Sequence, residues 1–347
     1  MAVAAAVAAP AAAMADTTLY GKIHMSYDVW GGDTVENSDY SLASNSSRIG
    51  IKGKEAISDN LSLIYQWENG LDWGGEAGAG LGGETRNTFV GLTGNWGTAV
   101  AGRHDTPFKS LGRKYDLFKD SVADARSITR RAGGATGFDE RLDNVVAYVT
   151  PDLGGFHAMG AFVSNWSGDD ASGPARINNE FDAYSLTAGY EIAGFTIDAG
   201  YEIHNADMTG AGLTDDESAY RVGAGYSMGG LKVVGLYQSI ADAGFVDGAD
   251  VDAWGLGGAY SFGKNTVKAQ YYYADDVDGT ADSDGTLWAV GYDYKMSKQT
   301  SVYAAYGSME SGANAGYELA AGTGHGERAD FDGNDSNAFS LGLVHKF

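Results

Sequence analysis

Segments of about ten residues that alternate between polar and apolar side chains recur along most of this chain. In the first of them, TTLYGKIHMSYDVW, large apolar and polar side chains take opposite faces, Ile23, Met25 and Tyr27 against Lys22, His24 and Ser26. This period of two indicates a β-strand whose two faces have different surroundings. About sixteen such segments follow one another, and very short turns alternate with longer polar loops between them.

A sheet of that many strands has to curl or close, because an open sheet would leave costly unpaired edges. We therefore predict an all-β fold, a closed transmembrane antiparallel β-barrel of about sixteen strands. The short turns then all lie at one end, the periplasmic one, and the long loops are extracellular. No segment after residue 15 is a long apolar run, which excludes a helical membrane protein.

A soluble β-sandwich is the alternative for alternating strands. It would bury its apolar face in a dry core and leave mostly polar residues outside. Here the other face carries charged and small residues that suit a wet lumen, namely Lys22, Arg48, Gly50, Lys52 and Arg86. Aromatic residues near strand ends predict the interfacial girdles of a membrane barrel. These are Trp30, Trp67, Trp96, Trp166, Tyr190, Tyr226 and Phe262.

The first fifteen residues, MAVAAAVAAPAAAMA, are rich in Ala and Val and end in an A-x-A pattern directly before polar residues. This pattern is typical of the apolar region and cleavage site of a secretory signal peptide. We predict a signal peptide over residues 1–15 with a truncated start, because a positively charged first part is missing. A buried Ala-rich helix is the alternative. Residues 16–347 are the predicted barrel.

One connection, the charged stretch from Arg103 to Arg141, is far longer than a compact domain needs. Its two ends join clear strand patterns, which argues against disorder. We expect this loop, about residues 105–142, to fold back into the barrel and to narrow a water-filled lumen.

Composition excludes several other functions. The formal net charge of −23 argues against a nucleic-acid partner, because phosphates require a basic surface. The six His residues lack paired-ligand spacing and there is no Cys, so we predict no metal site and no cofactor. Residues 225–229, GYSMG, fit the G-x-S-x-G motif of hydrolases. That motif needs a helix after a strand, and here another strand pattern follows, so we expect no enzyme.

Five stretches, in this order, resemble the general diffusion porins of Gram-negative outer membranes: LYGKIHMSYD, SRIGIKG, TRNTFVGLTGNWGTAVAGRHDTPF, ERLDNVVAYVTPDLGGF and the final HKF. The resemblance covers essentially all of residues 16–347. It implies a sixteen-stranded homotrimeric barrel in the outer membrane, with the third loop as a constriction. It also implies passive diffusion of small hydrophilic solutes and ions. The implied partners are outer-membrane lipid, lipopolysaccharide and the barrel-assembly machinery.

In this family, basic side chains on the barrel wall face acidic side chains on the inward loop. The opposed charges create an electric field across the pore, which would select solutes by size, dipole and charge. By resemblance, the basic wall consists of Lys22, Arg48, Arg86 and Arg141. The implied loop acids are Asp116 and Asp120, with Asp124 as a further candidate. A purely structural role, in which wall Arg side chains hold the loop down, is the alternative. The final Phe347 resembles the family's assembly signal and is also in phase with outward-facing Leu341 and Leu343.

Two further functions stay open. A substrate-selective or anion-selective porin is favoured by the basic third loop, which contains Lys109, Arg113, Lys114, Lys119, Arg126, Arg130 and Arg131. The net acidity predicts instead a weak cation preference, because acidic outer loops concentrate cations at the mouth. An adhesin or receptor role would reside in those acidic outer loops and can coexist with transport.

Overall fold

The computed structural model describes residues 16–32, 39–74, 83–130, 132–135, 137–164, 166, 182–205, 216–319 and 335–347. The predicted signal peptide, residues 1–15, lies outside the described residues and stays a prediction.

The described residues contain seventeen strands, which follow one another around a single sheet. They are β1 (Asp16–Gly32), β2 (Asp39–Ser44), β3 (Arg48–Ser58), β4 (Leu61–Gly70), β5 (Thr88–Gly94), β6 (Gly97–Asp105), β7 (Arg141–Val149), β8 (Phe156–Ser164), β9 (Asp182–Ile192), β10 (Phe195–His204), β11 (Glu217–Met228), β12 (Leu231–Ala241), β13 (Val251–Phe262), β14 (Asn265–Ala274), β15 (Gly285–Lys295), β16 (Thr300–Ser311) and β17 (Ser336–Lys346).

The sheet closes on itself, because the last strand pairs antiparallel with the first. Lys22 of β1 lies opposite Lys346 of β17, and the pairing continues to Gly32 opposite Ser336. Two strands share the other edge of β1: β2 pairs with Met25–Trp30, and β3 pairs with Asp16–Lys22. Strands β2 and β3 therefore occupy one position of the barrel, and the described part of the chain forms the predicted sixteen-strand antiparallel barrel.

The break between β2 and β3 differs from the sequence prediction, which placed residues 31–45 in a loop. Between β2 and β3 the chain leaves the sheet at Asn45–Ser47, where Ser46 adopts a positive φ of 54°. Asn45 and Ser47 are buried, and the backbone N–H of Asn45 donates to the carbonyl of His24 at 2.8 Å. This hydrogen bond holds the interrupted strand against β1. The sequence did not predict the interrupted strand, because its alternation is not continuous.

Side chains alternate between the two faces of the wall as predicted. On β1, Lys22, His24, Ser26 and Asp28 are buried on the inner face, whereas Tyr27 is exposed on the outer face. Among the predicted girdle aromatics, Trp67, Trp96, Tyr190 and Phe262 are exposed and Tyr226 is half-buried. The outer surface of the barrel is thus rich in exposed apolar and aromatic side chains.

Two girdle assignments were wrong. Trp30 is in phase with Asp28, is 2% exposed on the inner face, and donates from Nε1 to Ser41 Oγ at 2.8 Å. Trp166 stacks on His204 and Phe245, with ring centroids 4.6 and 5.6 Å apart. Both residues were assigned to the girdles because they lie near strand ends. The alternation of side chains along β1, however, already places Trp30 on the inner face of the barrel.

The segment between β6 and β7, residues 106–140, is named the inner loop, and its described residues, 106–130, 132–135 and 137–140, lie inside the barrel. Helix α1 (Pro107–Tyr115) contacts β8 to β12, and the short α2 (Arg126–Thr129) contacts β14 and β15. Thr106 begins α1 by accepting the N–H of Lys109 at 3.2 Å, and Pro107 follows at the first helical position, where it loses no hydrogen bond. No helix in the described ranges is long and apolar enough to cross a membrane.

An apolar core forms between this loop and one half of the inner wall. Seven loop side chains are almost fully buried in it, Phe108, Leu111, Tyr115, Phe118, Val122, Ile128 and Phe138. Opposite them lie Leu236, Ile240, Tyr272, Leu287 and Met309. A Cβ at Gly223 would overlap the ring of Tyr115, and a Cβ at Gly291 would overlap Phe118, so glycine at these wall positions lets the loop approach closely.

Candidate functional site

Three of the predicted basic wall residues lie together on the inner face. Arg86 Nε donates to Glu68 Oε1 at 2.7 Å, and Arg48 Nε lies 3.5 Å from Glu68 Oε2. The Tyr20 hydroxyl donates to the same carboxylate at 2.8 Å. Lys22 lies on the neighbouring strand directly opposite Arg48 in the register. The wall therefore presents three cations and one carboxylate at this height.

Arg141 extends the basic wall to β7. Its Nη2 lies 3.0 Å from Asp105 Oδ1, and its Nε donates to Asn87 Oδ1 at 2.8 Å. Asp105 also pairs with Lys109 on the first turn of α1, at 3.1 Å. This carboxylate thus connects the wall with the helix of the inner loop, and two cations share it.

Among the predicted loop acids, Asp120 is the one that reaches the basic wall. Its Oδ2 lies 2.8 Å from Lys22 Nζ, and its Oδ1 accepts from Arg113 at 2.6 Å and from Ser46 Oγ at 3.2 Å. Asp120 has a positive φ of 60°, which Asp tolerates better than most residues. Burial opposes its charge, but Arg113 and Lys22 outweigh burial and hold the pKa of Asp120 well below its usual range.

The other two predicted acids lie inside the loop rather than on its surface. Asp124 is fully buried and pairs with Arg126 at 2.9 Å and with Arg113 at 3.3 Å. Burial works against its charge, yet the two guanidinium groups lower the pKa of Asp124 to about 2. Asp116 accepts the backbone N–H groups of Phe118 and Ala125 at 2.7 and 3.1 Å. Its burial, together with the nearby charge of Asp124, raises the pKa of Asp116 to about 7.

The sequence reasoning missed the buried ion pair that anchors the loop to the wall. Arg221 of β11 binds Asp139 with both terminal nitrogens, at 2.8 and 3.1 Å, and both residues are buried. Arg221 also donates to the carbonyl of Phe108 at 3.1 Å and lies 4.1 Å from the centre of its ring. Gln238 of β12 accepts from Arg221 and donates to the carbonyl of Thr129. The inward phase of Arg221 in the middle of β11 was the signal in the sequence for a charged wall residue, although it does not indicate the partner.

A second anchor lies near the short-turn end of the barrel. Asp198 of β10 accepts from the Tyr115 hydroxyl, lies 2.7 Å from Lys114 Nζ, and is 2.6 Å from His157 Nε2. On the opposite side, Gln270 of β14 accepts the N–H of Leu117 and donates to the carbonyl of Ala123. Residues 114–123 of the loop are therefore held by two strands, β10 and β14.

Cations outnumber carboxylates where the loop meets the wall. We name this set of eleven charged side chains the charge ring. Its seven cations are Lys22, Arg48, Arg86, Lys109, Arg113, Arg126 and Arg141, and its four carboxylates are Glu68, Asp105, Asp120 and Asp124. Seven positive and four negative charges leave three positive charges, and Asp116 removes at most one of them.

The predicted assembly signal, Phe347, pairs with the first strand. Its backbone N–H donates to the carbonyl of Gly21 at 3.1 Å, and its carbonyl accepts the N–H of Gly21 at 2.9 Å. The ring is 45% exposed and covers Gly21. Residues 225–229, which fit G-x-S-x-G, run from the end of β11 into the turn before β12. The described residues contain no group of three His, Cys, Asp or Glu side chains arranged to hold a metal ion.

A closed antiparallel barrel with an apolar outer surface and charged groups on its inner face is the architecture of an outer-membrane channel. The model of the Gram-negative porin family matches residues 2–315, and the chain belongs to this family. It is an outer-membrane porin that forms a water-filled channel for passive diffusion of small hydrophilic solutes and ions. The predicted fold, location and function are thereby confirmed.

Known proteins similar to this chain include porins of several bacteria. The major outer membrane protein P.IB of Neisseria sicca is 29% identical over 263 residues, which cover 68% of this chain and 72% of that protein. The structure of an anion-selective porin from Comamonas acidovorans superposes with a TM-score of 0.80 at 22% identity, covering 96% of this chain and 100% of that one. The trimer form of OmpT from Vibrio cholerae has a TM-score of 0.71 at 21% identity, covering 96% and 99%.

Proposed function

We propose that the charge ring borders the narrowest part of the channel and that the inner loop, residues 106–140, sets its width. The observation that carries this proposal is a set of ion pairs where the loop meets the wall. Asp120 of the loop pairs with Lys22 of the wall and with Arg113, and Asp105 pairs with Arg141 of the wall. The apolar core fills the lumen between the loop and β11 to β17, so the remaining opening lies beside β3 to β7. Solutes passing there meet fixed charges at close range.

Within this proposal the predicted site residues divide into two groups. Lys22, Arg48, Arg86, Arg141 and Asp120 act on solutes, because they lie at the junction of loop and wall. Asp116 and Asp124 act on the loop, because their oxygens bind backbone N–H groups and Arg side chains within it. Removing either buried acid would then alter the loop's conformation before it altered the charge felt by a solute.

The excess of three positive charges favours anions over cations as the preferred ions. A narrow, low-dielectric passage makes such fixed charges much stronger than they are in bulk water. The acidic residues that dominate the net charge lie mainly outside this ring, so the channel's preference is set locally and not by the overall charge of −23. An anion-selective porin is among the similar structures, which supports this choice over the weak cation preference expected from composition.

We also propose that three copies assemble, that the outer face contacts lipid and lipopolysaccharide, that Phe347 is read by the barrel-assembly machinery, and that the chain has no catalytic activity. Support for the trimer is the similar OmpT structure in trimer form. Support for the lipid contact is the belt of exposed aromatic side chains on the outer face.

A planar bilayer tests the channel and the trimer together. Adding purified protein should produce stepwise current increments, and high voltage should close each increment in three equal steps. A tenfold KCl gradient should then give a reversal potential of the sign set by chloride, below the value of about 59 mV for perfect selectivity. Single-step closure contradicts the trimer, and a reversal potential of the potassium sign contradicts the anion preference. Folded protein that carries no current contradicts the channel itself.

A further inference from the structure

The extracellular mouth carries a strongly acidic surface. The loops between β12 and β13 and between β14 and β15, residues 242–250 and 275–284, contain eight Asp and neither Lys nor Arg. Ala243 and Val277 of these loops pack with Ala132 in the apolar core, next to Gly133 of the inner loop. The two acidic loops therefore lean over the lumen instead of pointing away from it. Cations accumulate at such a mouth.

The inner face between the charge ring and the short turns has the opposite sign. Alternation along the strands and direct contacts place eight lysines there, Lys52, Lys54, Lys114, Lys119, Lys232, Lys268, Lys295 and Lys346. The carboxylates of the same region are Asp16, Glu191, Asp198 and Asp293. Eight positive and four negative charges leave four positive charges. We name this region the lysine vestibule.

Individual contacts support the inward placement of these lysines. Lys52 Nζ lies 5.0 Å from the ring centre of Tyr20, whose hydroxyl donates to inward-facing Glu68. Lys232 shares its face of β12 with buried Val234, and its charge acts on Lys119 of the loop. Within the described residues, Lys52, Lys119, Lys232, Lys295 and Lys346 have no carboxylate at ion-pair distance, so their charges are available to mobile ions.

We infer that the lumen acts as an ionic rectifier, a pore that conducts more current in one direction of the voltage than in the other. Cations are the majority carriers in the acidic mouth, and anions are the majority carriers in the charge ring and the lysine vestibule. When the extracellular side is positive, both populations move toward the junction between the zones and enrich it. When the voltage is reversed, both populations leave the junction, which becomes depleted of ions.

This inference rests on the proposed anion preference of the charge ring and adds an asymmetry to it. A uniformly positive lumen would select anions without rectifying, because both ends would then hold the same majority carrier. The sign of the asymmetry follows from the topology, since the acidic loops lie at the long-loop end and the lysines at the short-turn end.

Single-channel currents in symmetric KCl test the inference. At about 0.1 M KCl, where charges act over about 10 Å, the current with the extracellular side positive should exceed the reverse current by about 1.5-fold or more. At about 1 M, where the range shrinks to about 3 Å, the ratio should approach one. The chain has no Cys, so Ala281→Cys in an acidic loop, labelled from one side with a bulky impermeant thiol reagent, reports the orientation of each channel.

Two sets of variants assign the asymmetry to the two zones. Replacing Lys52, Lys232, Lys295 and Lys346 with Gln should bring the ratio at low salt close to one. Replacing Asp247, Asp275 and Asp278 with Asn, which changes only exposed loop positions, should lower the ratio independently. The matched control is Lys264→Gln with Lys298→Gln, because these two lysines lie in short turns at the same end of the barrel and outside the vestibule.

A ratio of one in the unmodified channel at low salt, or a ratio of the opposite sign, contradicts the inference. So does an unchanged ratio in both variant sets. If the reversal potential has the chloride sign but the currents in symmetric KCl are equal in both directions, only the rectification is contradicted. A potassium-type reversal potential overturns the proposed function instead, so the two failures are distinguishable.

Discussion

Cations at the charge ring share carboxylates instead of forming separate pairs. Arg48 and Arg86 share Glu68, Lys109 and Arg141 share Asp105, and three cations surround Asp120. Each shared carboxylate fixes the position of its cations while leaving part of their charge uncompensated. Under the proposed function, this arrangement would combine the two roles that the sequence left as alternatives, a structural one and a selective one.

Removing the two Arg side chains that share Glu68 should change the selectivity of the channel. The double variant Arg48→Ala, Arg86→Ala loses two positive charges, and Glu68 keeps its hydrogen bond from Tyr20. We expect the reversal potential in a tenfold KCl gradient to move toward potassium by about 10 mV or more, with a larger conductance. The control is Lys264→Ala in a short turn. Unchanged reversal potentials in the double variant would remove both residues from the proposed filter.

Breaking the buried pair of Arg221 and Asp139 should release the inner loop without unfolding the barrel. Arg221→Met leaves the buried carboxylate of Asp139 unpaired, which costs about 3–5 kcal/mol. At about 1.4 kcal/mol per tenfold, the population of released loop should rise by about 100-fold or more. Trypsin cleavage within residues 106–140 measures this population.

The double variant Arg221→Met, Asp139→Leu is the matched comparison for that experiment, because it replaces both charges with apolar side chains and leaves no unpaired buried charge. It should be cleaved much more slowly than Arg221→Met alone. Equal cleavage of the single variant and the unmodified protein would mean that this pair does not hold the loop.

At the level of elements, the inner loop is a folded segment that shares an apolar core with the barrel wall. Its apolar side chains bury against β11 to β17, while Asp120 pairs with Lys22 of β1 and Lys109 pairs with Asp105 of β6. The buried acids Asp116 and Asp124 connect the loop's segments internally. The loop thus packs on one side of the lumen, and the proposed aqueous passage lies on the other side.

The docking of this loop should depend on pH in two opposite ways. The raised pKa of Asp116, about 7, means that the docked loop holds a proton which a released loop loses near pH 4, so docking weakens as the pH rises through about 4 to 7. The pKa values of Asp120 and Asp124 are depressed, so their contribution is present above about pH 4 and is lost as the pH falls below it.

Docking should therefore be strongest near about pH 4. Hydrogen exchange of the Phe118 and Ala125 amides, corrected for the intrinsic effect of pH, measures it. Asp116→Asn should remove the weakening between about pH 4 and 7, whereas Asp152→Asn in an exposed turn should leave it in place. Protection that stays constant over this range in the unmodified protein would contradict the assignment to Asp116.

At the level of the whole molecule, alternation in the sequence predicts the barrel and the inward placement of Lys22, Arg48 and Arg86. A period of two is a local signal, and strand register preserves it around the sheet. The placement of Asp116 and Asp124 inside the loop was not predictable, because the loop has no regular period. The pair of Arg221 and Asp139 joins residues 82 positions apart, and no local pattern indicates such a contact.

The inner loop lies in the lumen, and we propose that it sets the width of the channel. The most direct test of this proposal is the single-channel conductance of a variant in which Ser110–Thr136 is replaced by a short Gly-Ser linker, compared with the unmodified protein under the same salt conditions. Resistance to denaturation in detergent verifies that the variant barrel is folded. We predict a conductance increase of about twofold or more, because the apolar core that fills half of the lumen is removed. An unchanged or smaller conductance in a folded barrel would show that another element limits the passage.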